Sequence, residues 1–421
     1  MKEIKRDYYL NKLIEYQNDG LIKIITGIRR CGKSYLLNTI FYNYLVQKGI
    51  AEDHIIKVAF DNDVYSNLLK KGELGKYIRE RIIDKSLYYI LLDEVQLVEN
   101  FEFALNGINT LENVDIYVTG SNSKFLSSDI ITEFRGRGEE IRVYPLSFME
   151  FSSAYDKDIA SQKIWEDYYT YGGLPLIVSK KNEDTKMNYL DTQVKNIYIN
   201  DVVERNNIQN RNDLETLIEI ISSSIGSLTN PTKLVNTFKS LNKDTKITDK
   251  TIYNYLHYLE EAFIIEKAER YDIKGKRYIE TPQKYYFTDV GVRNSLINFR
   301  QQEENHLMEN IIYIELRRRG FNVDVGVVET RSNLENGKKG YKQLEIDFIA
   351  NKGNNKYYIQ SALNLDTREK REQEEKSLLN VQDNFRKIII VKDQIKRWRD
   401  DNGIVIISIL DFLLDSNSLD Y

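Results

Sequence analysis

The stretch from Gly27 to Ser34 constrains the chain more than any other, because it fits the pattern G-x-x-x-x-G-K-[ST] of a phosphate-binding loop. Such a loop surrounds a triphosphate with backbone N–H groups, and its glycines let the backbone approach the phosphate oxygens closely. The pattern assigns Lys33 to the β- and γ-phosphates and the Ser34 hydroxyl to Mg²⁺. We expect the nucleotide to be bound by Gly27, Ile28, Arg29, Arg30, Cys31, Gly32, Lys33, Ser34 and Tyr35.

The residues around the loop favour a nucleotide site over a chance match in a glycine-containing turn. Residues 21–26 form an apolar run typical of a short buried strand. Residues 34–41 carry apolar side chains at helical spacing. Strand, loop and helix are the context that the motif requires, so the sequence predicts a site for ATP and Mg²⁺.

A second part of the same site is predicted at residues 88–94, where an apolar run ends in Asp93 and Glu94. A buried strand of this kind delivers carboxylates to the edge of the sheet beside the phosphate loop. Asp93 is then expected to hold Mg²⁺, directly or through water, and Glu94 to orient and polarise the attacking water. The alternative is an edge strand followed by a polar turn.

The strand predicted at residues 115–119 is followed by small polar residues. In ring-forming ATPases such a strand places a polar side chain between the second acid and the γ-phosphate, and Ser121 and Asn122 are the candidates here. The alternative is an ordinary turn of glycine, serine and asparagine.

Three arginines are candidates for contact with the γ-phosphate. Arg135 and Arg137 lie among glycines, and either could stabilise the charge of the transition state, also in trans across a subunit interface. The alternative for this pair is a basic surface loop. Arg205 is the third candidate, although its spacing from Asp201 favours an i,i+4 ion pair.

Composition narrows the class of protein. The chain has 421 residues, a net charge of −4 and one cysteine, Cys31. The charge balance gives no overall attraction to nucleic acid, although it allows a local basic patch. A single cysteine cannot form an intrachain disulfide, which fits a reducing compartment. Because the N-terminus lacks the apolar core of a signal peptide and no apolar run is long enough for a membrane span, we expect a cytoplasmic protein.

Five motifs together resemble the prokaryotic AAA-type ATPases that carry a conserved C-terminal domain of unknown function. They are residues 27–34, residues 91–96, residues 119–121, the pair Gly136-Arg137 and residues 144–151. The stretch at residues 143–148 is the most specific of these, because phosphate-loop chemistry does not require it. The resemblance extends over nearly the whole chain, and it implies ATP binding and hydrolysis in a homo-oligomeric ring.

The sequence predicts an α/β protein of four parts. They are a P-loop AAA-type ATPase core at residues 1–151, a helical linker at 152–208, a winged helix at 209–298 and a restriction-endonuclease-like domain at 299–421. The linker contains Gly172-Gly173-Leu174-Pro175, which we interpret as a structural hinge.

The winged helix is predicted from three helical patterns followed by two strand-like runs, residues 264–268 and 284–288. Its third helix would read a groove of double-stranded DNA. Binding of a protein partner is the alternative. The exposed polar residues expected on or near this helix are Lys243, Lys246, Lys250, Thr251, Asn254, His257, Lys274, Lys276 and Arg277.

The last part resembles a restriction-endonuclease core, with Glu309 on a helix and Asp347 and Gln360 on two strands. In that core a carboxylate pair holds Mg²⁺, and a lysine two residues after the second acid helps to activate water. These three residues are the predicted second metal site. Since Gln360 is neutral and Ala362 takes the lysine position, we expect a retained fold without nuclease activity. The tail at residues 414–421 is expected to be loose.

Three functions follow as competing hypotheses. The leading one is an ATP-hydrolysing switch or motor that acts on DNA or on a protein partner. The second is a DNA-binding regulator whose ATP site sets its conformation. The third is a metal-dependent DNA nuclease of a defence or toxin type, which the residue at position 362 disfavours.

Overall fold

The computed structural model describes residues 4–120, 134, 136–156, 158–241, 243, 245–300, 303–333 and 339–420, with the backbone alone described at 195–196, 331–333 and 339–341. The chain divides into two units, one of residues 1–146 with 261–263 and the other of residues 147–260 with 264–421. Each unit is built around its own sheet.

Five strands form the sheet of the first unit: β1 (Ile22–Thr26), β2 (Ile55–Ala59), β3 (Tyr88–Asp93), β4 (Val114–Thr119) and β5 (Gly138–Arg142). Their order is β2-β3-β4-β1-β5, and every neighbouring pair is parallel. Parallel strands are usually covered on both faces and therefore read as continuous apolar runs. This explains why β1 and β3 are buried along their whole length, as the sequence predicts.

The helix after β1 carries the residues that follow the phosphate loop. It begins at Lys33 and continues to Gln47, with a π-helical middle at Leu36–Phe41. The remaining helical segments of this unit are Asp7–Glu15, Glu52–His54, Asp63–Leu69, Glu73–Arg81, Val95–Leu97 and Phe101–Ile108. Strand, loop and helix thus follow one another as the motif predicts.

Eight strands form the second sheet: β6 (Ile265–Asp272), β7 (Arg277–Phe287), β8 (Asn322–Asn333), β9 (Lys339–Lys352), β10 (Asn355–Ala362), β11 (Arg386–Val391), β12 (Trp398–Arg399) and β13 (Val405–Ser408). Their order is β12-β13-β11-β10-β9-β8-β6-β7. The hairpin β6–β7 joins this sheet because β6 pairs in parallel with β8. The sheet therefore continues across the boundary predicted at residue 298.

The helices after residue 146 include the three that precede the hairpin, Arg211–Ser223, Pro231–Leu241 and Asp249–Glu261. Three helices and a hairpin are the predicted order, and the assignment of a winged helix stays a prediction. The other helical segments are Phe148–Ser152, Ser161–Tyr171, Pro175–Ser179, Glu183–Gln193, Val194–Tyr198, Ile199–Arg205, Val290–Leu296, Glu304–Arg318, Arg368–Leu379 and Ile409–Leu414.

Residues of β9 and β10 contact two different helices. Ile346 and Ala362 share a core with Leu378 of helix Arg368–Leu379. Phe348 instead contacts the ring of Tyr313, on helix Glu304–Arg318, with 6.3 Å between the ring centroids. The pairing of β9 with β8 shifts register between Ile346 and Ile349, so simple alternation does not decide which face Asp347 shares with Gln360.

The prediction of a loose tail is wrong for residues 415–420. Ser418 and Leu419 are only 2% and 3% exposed. Arg319 Nη1 donates to Ser418 Oγ over 2.9 Å, and Arg386 Nη1 donates to the carbonyl oxygen of Leu419 over 2.9 Å. The segment is packed because two distant arginines find their acceptors on it.

Candidate functional site

The phosphate loop connects β1 with the helix that begins at Lys33. Gly27, Arg30 and Gly32 have φ values of 137°, 65° and 101°, so the loop runs through left-handed backbone at three positions. A Cβ atom at Gly27 would lie 2.1 Å from the carbonyl oxygen of Val143, which leaves room for glycine alone. The loop is thus held tightly against the segment after β5.

Lys33 is buried and turned onto its own loop. Its Nζ donates to the carbonyl oxygens of Gly27 and Ile28 over 2.8 and 3.2 Å. Arg29, Arg30, Ser34 and Tyr35 are exposed, whereas Ile28 and Cys31 are buried. The ammonium group of Lys33 therefore lies inside the curve of the loop, where the motif places the outer phosphates of a nucleotide.

Arg6 donates hydrogen bonds to the backbone of the loop and of the segment after β5. This role was not predicted from the sequence. Its two terminal nitrogens donate to the carbonyl oxygens of Cys31 and Tyr144 over 3.0 and 2.7 Å. The guanidinium also lies over the ring of Tyr9, 4.6 Å from the centroid. Nothing in the charged N-terminal sequence marks this arginine, since the contact joins residues far apart in the chain.

Asp93 is the meeting point of three elements. Ser34 Oγ donates to its Oδ1 over 3.0 Å, and Asn38 Nδ2 donates to its Oδ2 over 3.0 Å. The hydroxyl of Thr119, at the end of β4, also donates to Oδ1. Burial raises the pKa of Asp93 above its usual range, while the hydrogen bonds from Thr119 and Ser34 oppose this shift.

Glu94 follows directly and has a φ of 55°, so the chain turns sharply after β3. Its backbone N–H donates to Thr119 Oγ1 over 3.0 Å. Its carboxylate accepts a hydrogen bond from the side-chain amide of Gln96 and is only partly buried. Asp93 and Glu94 thus lie at the carboxyl edge of the sheet on which the phosphate loop also lies.

Thr119 is the polar residue that the strand β4 brings to this edge. The strand order puts β4 between β1 and β3, so its last residue lies between the loop and the acids. The sequence prediction chose Ser121 and Asn122 instead, and both lie outside the described residues, as does Arg135. The signal for Thr119 was its place at the end of the predicted strand.

Arg137 is exposed and lies just before β5, at the end of the sheet opposite to the phosphate loop. Its carbonyl oxygen accepts a hydrogen bond from the N–H of Ile22, at the start of β1, over 2.7 Å. The loop leaves the other end of β1, about 16 Å away for a strand of this length. The prediction that Arg137 contacts a nucleotide on the loop of its own chain is therefore wrong. Its role in trans, at the nucleotide of a neighbouring chain, stays a prediction.

Arg205 lies where the sequence places it, in an ion pair. Its Nη2 is 3.7 Å from Asp201 Oδ2, one helical turn earlier. Both residues are on helix Ile199–Arg205, so the contact is local. This geometry agrees with the ion-pair interpretation.

The predicted second metal site is not assembled as expected. Glu309 and Asp347 lie in one cluster, but the ammonium of Lys284 lies between them. Gln360 Oε1 accepts from the backbone N–H of Asp347 over 3.4 Å and from Ser377 Oγ of helix Arg368–Leu379 over 3.5 Å. Within the described residues, no three His, Cys, Asp or Glu side chains are placed to hold a metal ion. The role of Gln360 in a metal site therefore stays a prediction.

In the part of the chain that the structure describes, no helix has both the length and the apolar character needed to cross a membrane.

Two domain families match this chain. Residues 19–152 match the AAA domain, and residues 162–303 match a domain of unknown function, DUF8612. The first match contains the phosphate loop, both strand-end acids and Thr119. The predicted AAA-type domain is thereby confirmed, while the finer assignment of the C-terminal part is not tested by these matches.

Two relatives are similar over most of their length. An uncharacterized protein from Haemophilus influenzae is 35% identical over 415 residues, which are 98% of this chain and 98% of the relative. The uncharacterized protein MJ1544 from Methanocaldococcus jannaschii is 30% identical over 382 residues, which are 88% of this chain and 80% of the relative.

One solved structure shows a much looser similarity. It is the Aeropyrum pernix ORC2 protein in ADPNP–ADP complexes, with 11% identity, coverage of 74% of this chain and 92% of that chain, and a TM-score of 0.35. A superposition with so low a score carries no conclusion about function.

Proposed function

The chain belongs to the same family as these two relatives and carries an AAA domain, and from this premise we propose that its first unit binds and hydrolyses ATP with Mg²⁺. The observation that supports the proposal most is Asp93, which hydrogen-bonds with Ser34 from the loop and Thr119 from the neighbouring strand. A site of this kind needs its loop and its acid side by side, and the sheet provides that arrangement.

The residues present fit a magnesium nucleotide. Ser34, Asp93 and Thr119 offer hydroxyl and carboxylate oxygens, which are the donors that Mg²⁺ prefers. Ser34 and Asp93 would hold the ion, and the ion supplies positive charge that neutralises the phosphate oxygens. Lys33 would exchange the carbonyl oxygens of Gly27 and Ile28 for the outer phosphates, because ionised acceptors bind an ammonium more strongly.

Glu94 is the residue that would orient the attacking water and accept its proton. Its backbone N–H donates to Thr119 Oγ1, and its carboxylate accepts a hydrogen bond from the side-chain amide of Gln96. Hydrolysis on this proposal depends on Glu94, whereas nucleotide binding does not.

The test is a pair of variants measured for binding and turnover separately. Lys33→Ala should abolish nucleotide binding in calorimetry with Mg²⁺, and Glu94→Gln should retain binding and lose turnover. Lys48→Ala and Glu99→Gln are matched controls, since both residues are exposed and both lie in the same unit. Wild-type protein without measurable ATP affinity would overturn the proposal.

A second function, an ATP-gated DNA-binding regulator, is supported by exposed cations near the predicted reading helix. Lys250 is exposed on helix Asp249–Glu261, and Lys274, Lys276 and Arg277 are exposed at the tip of the hairpin. Lys246 and Lys250 also line a cleft of about 430 Å³ together with asparagine and tyrosine side chains. Positive side chains bind phosphates and release counterions, so binding should weaken as salt rises.

Double-stranded DNA and a protein partner are distinguished by one experiment. A labelled duplex should shift at low salt, and replacement of Lys274, Lys276 and Arg277 by alanine should reduce the shift and lower its salt dependence. Replacement of Lys48, Lys71 and Lys85, which are exposed in the first unit, is the control. ATPase activity without any duplex binding at low salt would favour a protein partner.

A further inference from the structure

A buried lysine lies at the centre of three carboxylates in the second unit. Lys284 Nζ is 2.8 Å from Glu309 Oε1, 2.8 Å from Glu345 Oε1 and 3.8 Å from Asp347 Oδ1. The lysine side chain is only 4% exposed. Neither Lys284 nor Glu345 belongs to the metal site predicted from the sequence.

The four residues come from three elements. Lys284 is on β7, Glu309 is on helix Glu304–Arg318, and Glu345 and Asp347 are alternate residues of β9 and thus share one face. The hairpin therefore places a cation on a group of acids that two other elements supply.

The charges of the cluster do not balance on the lysine alone. Lys284 brings one positive charge, whereas three acidic side chains lie within 4 Å of its Nζ. One ammonium thus faces more negative charge than it can neutralise.

Further polar groups surround the carboxylates. Tyr286 donates its hydroxyl to Glu309 Oε1 over 2.6 Å, and the backbone N–H of Ser361 donates to Asp347 Oδ2 over 2.8 Å. The hydroxyl of Ser361, a residue only 7% exposed, has no hydrogen-bond partner within the described residues. An oxygen donor without a partner, next to a carboxylate, is the kind of group that coordinates a metal ion.

We infer that these carboxylates form a divalent-cation site whose position is occupied by the chain's own ammonium, Lys284. Oxygen donors from Glu309, Glu345 and Asp347 suit Mg²⁺ or Mn²⁺, and Ser361 adds a hydroxyl beside Asp347. Glu345 is 33% exposed, so the cluster has an approach from solvent.

The wild-type cluster is therefore independent of metal, and the loss of the ammonium converts it into a metal site. A neutral side chain at position 284 leaves several carboxylates without a counter-charge in a buried setting, which is strongly unfavourable. A divalent cation relieves this because it brings two charges and accepts more oxygen ligands than an ammonium has protons.

The experiment measures Mn²⁺ binding to the full chain without nucleotide, by calorimetry and by electron paramagnetic resonance. Ser34→Ala is present in every sample, so that the phosphate-loop site does not contribute. We expect Lys284→Met to bind one more Mn²⁺ per chain than the parent, at least tenfold more tightly. Lys284→Arg, which keeps the charge, should bind no more Mn²⁺ than the parent.

The double variant Lys284→Met with Asp347→Asn identifies the site. It should lose the added Mn²⁺ binding, and binding that persists in it would overturn the inference. A folded Lys284→Met chain with no binding beyond the parent would overturn it as well.

If Lys284→Met does not fold without metal, its melting temperature with and without Mn²⁺ decides the question. Rescue of folding by Mn²⁺ in Lys284→Met, absent in the double variant, supports the inference. A chain that stays unfolded with Mn²⁺ while Lys284→Gln folds without binding Mn²⁺ contradicts it. These results do not depend on ATP hydrolysis, so they are separate from those of the proposed function.

Discussion

At the residue scale, the carboxylate of Asp93 accepts hydrogen bonds from the helix after the phosphate loop and from the end of β4. Asp93 is 3% exposed, yet hydroxyl and amide donors reach both of its oxygens. Two of these donors, Ser34 and Asn38, lie one helical turn apart on the helix that follows the loop. The position of this carboxylate relative to the loop is therefore set by that helix.

Asn38→Ala tests this positioning. Loss of a hydrogen bond to a charged group costs about 1.5–3 kcal/mol, so we expect kcat/KM for Mg·ATP to fall about tenfold or more. The carboxylate would also hold its proton more tightly, which moves the acid limb of the pH–rate profile to higher pH. Steady-state ATPase measurements across pH check both effects. Asn43→Ala, at an exposed position of the same helix, is the control; an unchanged profile in Asn38→Ala would contradict the role.

Asp289 predicts a pH dependence of stability in the second unit. Burial raises its pKa to about 6, although the backbone N–H groups of Val292 and Gly173 oppose the shift. Between the unfolded pKa, about 4, and this value the folded chain holds a proton that the unfolded chain has released. Stability from this group is therefore present below pH 4 and is lost as the pH rises to 6.

The loss amounts to about 3 kcal/mol, since one pKa unit corresponds to about 1.4 kcal/mol. Urea unfolding of the wild type and of Asp289→Asn at pH 4.5 and pH 7 measures the part of this loss that falls between the two conditions, about 2 kcal/mol. We expect the wild type to lose more stability than the variant between these two conditions. Equal losses in both proteins would show that Asp289 does not titrate in this window.

At the element scale, the glycine pair of the linker is explained by two helices that meet. Gly172 ends helix Ser161–Tyr171 with a φ of 73°, and the N–H of Gly173 donates to Asp289 Oδ2 over 2.7 Å. Gly291, on helix Val290–Leu296, would bring a Cβ to within 2.0 Å of the carbonyl oxygen of Tyr171. The glycines thus allow the backbones of the two helices to come into close contact. The role of the motif as a hinge stays a prediction.

Gly291→Ala is expected to force these two helices apart. Overpacking in a close contact costs about 1–3 kcal/mol, and here the contacted atom is backbone and cannot rotate away. Thermal unfolding followed by circular dichroism should show a lower midpoint. Gly107→Ala is the matched control, because that glycine is also helical and its Cβ would meet only the flexible end of Arg79, at 3.3 Å; an equal effect of both variants would contradict the explanation.

At the scale of the whole molecule, the position of Arg137 bears on assembly. Arg137 lies at the end of the sheet opposite to its own phosphate loop. The only γ-phosphate that its side chain could contact therefore belongs to a nucleotide on a neighbouring chain. A repeated head-to-tail contact of this kind generates a ring when its rotation closes. The homo-oligomer implied by the family resemblance is thus tied to one side chain.

A mixing experiment tests whether Arg137 acts in trans. Lys33→Ala and Arg137→Ala should each be inactive alone, and an equal mixture should regain ATPase activity at about one interface in four after random exchange. A mixture of Lys33→Ala with Glu94→Gln is the control and should stay inactive, because both defects belong to the same site. Full activity of Arg137→Ala alone would remove the role.

The sequence alone predicted the strand–loop–helix order and the strand-end position of the two acids, because these features are short and local. Gly27–Ser34 and Asp93-Glu94 are read from neighbouring residues, and the alternation of strands and helices places both at one edge of a parallel sheet. The C-terminal site was predicted less well. Gln360 and Asp347 are on adjacent strands, and the faces of those strands follow from pairing that no local pattern specifies.

The phosphate loop, the acids after β3 and the α/β class were therefore determined by the sequence itself, because local spacing fixes them. Only the tertiary structure decided that Thr119 and Asn38 meet Asp93, that Arg137 lies away from its own loop, and that Arg319 holds the tail. It also decided that Lys284 enters the carboxylate cluster. Each of these contacts joins residues far apart in the chain, and its partners are selected by burial and charge after the strands have paired.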